Sequence, residues 1–76
     1  MRILGIDPGI GRTGWGVVDV QNANLPAGKA GCKVQNYGCI ETSKELPMEK
    51  RLQSLYDQLS RIITKETPNE VAIEEL

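Results

Sequence analysis

The opening of the chain joins an apolar run to an acid and then to a turn. Residues 3–6 lead directly into Asp7, and Pro8 and Gly9 follow it. The run predicts a buried strand, and a carboxylate at its end is costly unless it is paired, hydrogen-bonded or bound to a cation. Asp-Pro-Gly is also a favourable β-turn sequence. The residues alone therefore leave two interpretations of Asp7 open: it is a turn residue, or it belongs to a site for a metal or a phosphate.

Composition narrows what such a site could be. With 76 residues the chain can form one small domain, and its two cysteines cannot build the disulfide framework of a small secreted protein. We therefore expect a reducing compartment and a cytoplasmic protein, with neither a signal peptide nor a membrane span. A net charge of -1 gives no general indication of a nucleic-acid partner. Because histidine is absent, oxygen ligands must hold any metal, which favours Mg²⁺, Mn²⁺ or Ca²⁺.

Two further strands are predicted after the first. Residues 14–20 follow a short glycine-rich turn and should pair with the first strand as a hairpin. Residues 21–31 have the composition of an exposed loop, and residues 32–42 predict a third strand in which Gly38 marks a bulge or close packing. Glycines also surround Asp7. They could admit a phosphate or a metal-bound substrate, or serve only turns and sheet packing, and the spacing matches no standard nucleotide loop.

A helix is predicted from about residue 47 to residue 66. Its apolar residues recur at helical spacing, Pro47 suits the helix start, and Pro68 follows its end. Tyr56 lies within the apolar pattern and is predicted to be a core residue. The basic residues lie largely off that face and predict a solvated surface.

The last stretch repeats the pattern of the first. Residues 69–76 form a short apolar run that ends in acid, and the preceding helix supplies the crossover that a parallel strand pair requires. Neighbouring strands lie about 4.8 Å apart, so acids at the same ends of two parallel strands can share a divalent cation. Strand alternation by itself does not decide whether Glu74 or Glu75 is the partner of Asp7.

Taken together, these segments resemble the RuvC family of crossover-junction endodeoxyribonucleases. The matching segments are Ile-Leu-Gly-Ile-Asp-Pro-Gly at 3–9, Thr-Gly-Trp-Gly-Val-Val at 13–18, Gly-Cys-Ile-Glu-Thr at 38–42, Leu-Pro at 46–47 with Arg-Leu at 51–52, and Pro-Asn at 68–69 with Ala-Ile-Glu at 72–74. The combination of the first two segments with the final Ala-Ile-Glu is the most specific part of the match.

The resemblance implies a ribonuclease-H-like α/β fold: a three-stranded antiparallel meander, one crossover helix and a fourth strand parallel to the first. It also implies a nuclease that resolves Holliday junctions by hydrolysing phosphodiesters with two Mg²⁺ ions held by four acids, with Mn²⁺ as a possible substitute. Asp7 and Glu74 match two of those acids as catalytic and metal-binding residues, which selects Glu74 over Glu75. Implied partners are a four-way DNA junction, a second subunit in a homodimer and branch-migration proteins, with no membrane.

Family members continue beyond the length of this chain, so residues 1–76 are expected to be the N-terminal half of a single nuclease domain. The other two acids are expected beyond Leu76, which makes the isolated chain inactive. It should also leave one face of the sheet without a helical cover. Two alternatives remain: an actin-like ATP-binding domain, whose opening hairpin is similar, and a non-catalytic ribonuclease-H-like interaction module.

Overall fold

The computed structural model describes residues 1–9, 11–20 and 32–74. Within these ranges it contains four strands and one helix: β1 (Arg2–Asp7), β2 (Arg12–Val20), β3 (Cys32–Glu41), α1 (Met48–Glu66) and β4 (Glu70–Ile73). The predicted loop at 21–31 lies outside the described residues. So do residues 75–76, the end of the last predicted strand.

The four strands form one sheet in the order β3-β2-β1-β4. β1 and β2 form the predicted antiparallel hairpin, and β3 pairs antiparallel with the other side of β2. β4 runs parallel to β1 after the crossover through α1. The predicted meander, crossover helix and parallel fourth strand are therefore confirmed.

The core lies between α1 and one face of the sheet. Leu4 and Val17 are fully buried and Ile6 is nearly so, and Leu59 and Ile62 of α1 pack against them. Side chains alternate between the two faces of a strand, so the residues between these core positions point away from α1. The sheet is thus covered on one face within the described part of the chain.

The helix itself spans nearly the predicted residues, but its apolar side is not fully used. Tyr56 is 68% exposed and Leu52 is 57% exposed, so the prediction that Tyr56 belongs to the core is wrong. The helical pattern spans a wider arc than the stripe through Leu59 and Ile62 that contacts the sheet. An apolar strip on one flank of α1 is left open to solvent.

The predicted irregularity in β3 is present at a different position. The register with β2 shifts between Val17 and Val18, which makes Gln35 the extra residue. Gly38 instead pairs in register with Trp15. The Trp15 ring lies over Gly38 so closely that an added Cβ would be 2.9 Å from it. Of the two predictions for Gly38, close packing is confirmed and the bulge is wrong.

Both ends of α1 are well defined. Pro47 occupies the N-cap position with extended backbone, and Thr67 ends the helix in the left-handed region at φ 46°. The Thr67 N–H donates to the carbonyl oxygen of Ile63 at 2.9 Å. Over the described ranges, no helix has the length and apolar character needed to cross a bilayer.

Candidate functional site

Asp7 and Glu74 lie beside each other at one end of the sheet. Asp7 is the last residue of β1, and Glu74 directly follows β4. Ile6 and Ile73 are partners in the parallel register, and the Glu74 N–H donates to the carbonyl oxygen of Ile6 at 2.9 Å. The backbone therefore brings together the two acids that the resemblance selected.

The two acids share the face of the sheet opposite α1. Ile6 points toward the helix, so Asp7 points away from it by strand alternation, and Glu74 follows Ile73 in the same way. Both acids are exposed. The expectation that Asp7 bears a burial cost is wrong, because nothing in the described part of the chain covers this face.

Between the acids and the hairpin lies an open concavity of about 550 Å³, whose lining includes both carboxylate residues. Its floor contains Gly5, Gly14 and Gly16, with backbone in place of side chains. A Cβ on Gly14 would lie 4.0 Å from the Cβ of Asp7, and one on Gly5 would lie 3.8 Å from a backbone oxygen. Neither position is crowded, so these glycines leave space above the sheet.

Other glycines have structural roles. Gly11 has φ 79°, a conformation that side chains disfavour, and Gly38 makes room for Trp15. The two interpretations of the glycine-rich sequence thus apply to different positions. Gly11 and Gly38 serve the turn and the packing, whereas the floor glycines allow a close approach to Asp7.

The positively charged side chain of Arg12, on β2, lies on the same face of the sheet as the two acids. Arg12 pairs with Glu41 across β2 and β3, and its guanidinium lies 3.3 Å from a Glu41 carboxylate oxygen. The guanidinium of Arg12 is charged at any ordinary pH, and Cys39 and Glu41 raise its pKa further above the ordinary value. Both members of the ion pair are well exposed, so the pair is open to exchange with another anion.

Arg51 connects the helix to the turn that follows Asp7. Its Nε donates to Oγ1 of Thr42 at 3.2 Å, and the Thr42 N–H donates to the carbonyl oxygen of Gly11 at 3.0 Å. Arg51 is one of the basic residues that the helical pattern assigned to a solvated face. That prediction is wrong for Arg51, whose side chain is partly buried. The Arg-Leu element of the resembling segments was the only available signal.

Two carboxylates are the extent of the acidic site in the residues described. No group of three or more His, Cys, Asp or Glu side chains comes together in ranges 1–9, 11–20 and 32–74. The donors present are hard oxygen ligands, the kind that Mg²⁺ and Mn²⁺ prefer. The arrangement can therefore bind one side of a hard cation and leaves the other side to further ligands.

The family profile described as "Crossover junction endodeoxyribonuclease RuvC" matches residues 3–76. The chain belongs to the RuvC family. This membership sets aside the actin-like ATP-binding alternative.

Curated RuvC relatives match nearly the whole chain. A crossover junction endodeoxyribonuclease RuvC from Caldicellulosiruptor saccharolyticus is 47% identical over 76 residues, which is 100% of this chain and 42% of the relative. The protein of the same name from Methylobacterium radiotolerans is 41% identical over 75 residues, covering 99% of this chain and 33% of the relative. The chain thus spans between one third and about two fifths of these RuvC proteins.

Solved RuvC structures share the fold. The Thermus thermophilus RuvC structure superposes with a TM-score of 0.84 at 29% identity, covering 100% of this chain and 43% of that one. T. thermophilus RuvC in complex with a Holliday junction substrate also has a TM-score of 0.84, at 28% identity. The ribonuclease-H-like fold predicted from the sequence is that of a RuvC protein.

Proposed function

We propose that this chain supplies one half of the active site of a metal-dependent endonuclease that resolves four-way DNA junctions. The observation that carries the proposal is the parallel register of β1 and β4, which places Asp7 and Glu74 side by side on an open face. Family membership and the junction-bound T. thermophilus RuvC structure support the choice of substrate.

The residues present fit a hard divalent cation. Asp7 and Glu74 offer only oxygen donors, they are exposed, and they line one concavity. Mg²⁺ is the proposed ion, with Mn²⁺ as a substitute, and two ions per active site require acids beyond these two. Held by Asp7 and Glu74 together with further acids, such ions would supply an activated water and neutralise charge for the hydrolysis of a phosphodiester.

The other residues of the site orient the DNA and leave room for it. The glycine floor leaves the backbone of the sheet accessible beside Asp7, so a phosphodiester can approach without meeting a side chain. Arg12 supplies a charged guanidinium on the same face, suited to a flanking phosphate. In this proposal Asp7 and Glu74 hold the metal, while Arg12 contacts the DNA backbone.

Residues 1–76 are proposed to be the N-terminal half of a single nuclease domain, in keeping with the share of the relatives that they match. The working protein is proposed to be a cytoplasmic homodimer that cuts two symmetric strands and cooperates with branch-migration proteins. By itself the 76-residue chain is expected to be inactive, because it provides only two of the four acids that are expected to hold the metal ions.

A chimera tests the proposal directly. Residues 1–76 replace the matching segment of the C. saccharolyticus relative, and the product is incubated with Mg²⁺ and a synthetic four-way junction. We expect cleavage by the chimera and its loss with Asp7→Asn or Glu74→Gln. Glu70→Gln is the matched control, since it alters an exposed acid at the opposite end of the same strand.

The outcomes separate the remaining alternatives. A chimera that binds the junction but does not cut it indicates the non-catalytic interaction module. Cleavage that survives Asp7→Asn contradicts the assignment of the site. Strong cleavage by the isolated 76-residue chain contradicts the proposal that half of the acids lie elsewhere.

A further inference from the structure

The residues of β4 make few buried contacts that could fix the register of this strand against β1. It has four residues, Glu70–Ile73, and all of them are exposed. Register is well specified where one face of a strand is buried, and a slip of one residue exchanges the two faces. A short exposed strand therefore depends on contacts outside its own length.

Such contacts lie immediately before β4. The Arg2 N–H donates to Oδ1 of Asn69 at 2.8 Å, and the Asn69 N–H donates back to the carbonyl oxygen of Arg2 at 2.8 Å. This reciprocal pair joins the start of β1 to the residue that precedes Glu70. It aligns the two strands at the end opposite the acids.

The same arginine is also bound to the end of α1. Arg2 Nε donates to the backbone oxygen of Glu66 at 2.9 Å, and its Nη2 lies 2.9 Å from Oε2 of the Glu66 side chain. Only residues 67–69 separate Glu66 from β4. Glu66 and Asn69, at the two ends of this short connection, are therefore both hydrogen-bonded to Arg2. The connection has no spare length that would let β4 shift its register.

The register decides which acid meets Asp7. Glu74 and Glu75 are adjacent in the sequence, so a shift of β4 by one residue would bring Glu75 to the position that Glu74 occupies. We infer that Asn69 is a positioning residue that selects Glu74, and not Glu75, as the metal-binding partner of Asp7. The inference rests on the proposed function, because it assumes that this pair binds the metal.

The experiment uses Mn²⁺ and the chimera with the C. saccharolyticus relative, in which the site is complete, with binding followed by paramagnetic broadening of amide signals. With Asn69 unchanged, Glu74→Gln should weaken Mn²⁺ binding about tenfold, whereas Glu75→Gln should change it less than about twofold. With Asn69→Ala, the two substitutions should become similar in effect. Asn69→Asp retains an oxygen acceptor for the Arg2 N–H and should restore the selectivity for Glu74.

The control is Glu70→Ala, a truncation of the neighbouring exposed residue, which should leave the selectivity unchanged. Undiminished selectivity in Asn69→Ala, or selectivity lost in Asn69→Asp, overturns the inference. If the complete chimera binds no Mn²⁺ at Asp7 and Glu74 at all, the proposed function fails instead.

A measurement on the unaltered chain guards against a variant that does not fold. The amide hydrogens of Arg2 and Asn69 should both be protected from hydrogen exchange, since each donates a hydrogen bond within the reciprocal pair. Unprotected amides at Arg2 and Asn69 overturn the inference independently of any substitution.

Discussion

Asn36 on β3 donates a hydrogen bond of 2.7 Å from its Nδ2 to Oε1 of Glu66, at the last position of α1. The other carboxylate oxygen of Glu66 receives the bond from Arg2 of β1. Glu66 is only 8% exposed, and within the described residues no buried side-chain polar atom is left without a partner. One buried acid thus connects the end of the helix to two strands, on the side of the sheet that α1 covers.

Removing that acid should destabilise the fold. Glu66→Ala deletes both side-chain bonds and leaves Arg2 and Asn36 without their acceptor, which should cost about 2–4 kcal/mol of unfolding free energy. Glu66→Gln keeps one acceptor and should cost less. Urea unfolding followed by circular dichroism measures both. Glu45→Ala, at an exposed position, should stay within about 0.5 kcal/mol of the original chain.

Gly38 should not tolerate a side chain. A Cβ there would lie 2.9 Å from three atoms of the Trp15 ring, so Gly38→Ala must displace the indole or the strand. We expect a loss of about 1–3 kcal/mol and a shift in Trp15 fluorescence. Gly16→Ala is the matched control on the neighbouring strand, because its Cβ would meet only ordinary contacts at 3.9 Å. Equal stability losses for both substitutions would contradict this packing.

Divalent cations should stabilise the folded chain through the acid pair. Binding to the native state alone raises the unfolding free energy, by about 1.4 kcal/mol at ten times the dissociation constant. Asp7→Asn and Glu74→Gln should each abolish the rise in melting temperature caused by Mg²⁺ or Mn²⁺. Differential scanning calorimetry with and without the ion measures this. A rise that persists in Asp7→Asn would place the cation elsewhere.

The open flank of α1 should make the chain associate. Leu52, Tyr56 and Ile63 are 57%, 68% and 42% exposed and lie on one side of the helix. Contiguous apolar surface of this kind promotes self-association. Sedimentation velocity should show mass that grows with concentration, and Leu52→Glu should reduce it. Asp57→Asn, on the polar side, should have little effect.

Much of the architecture could be predicted because its causes are local. The helix follows from apolar residues spaced by three and four, and the hairpin follows from two apolar strands around a glycine-rich turn. The position of the candidate pair could also be predicted, since Asp7 and an acid at 74 or 75 each end an apolar run and the crossover helix permits parallel strands. The choice of Glu74 came from the family resemblance. The exposure of Tyr56 and the true position of the bulge could not be predicted, because both depend on how the helix and strands pack against one another.

By itself the sequence determined the order and type of the elements and the presence of an acid at the end of β1 and directly after β4. Only the tertiary structure decided that Asp7 is exposed above a glycine floor, that Arg51 anchors the turn beside it, and that Arg2 and Asn69 exchange hydrogen bonds at the other end of the β1–β4 pair. The physical reason is the range of the interactions. Alternation and helical periodicity are set by near neighbours, whereas burial and register depend on residues as far apart as 2 and 69, which folding alone brings together.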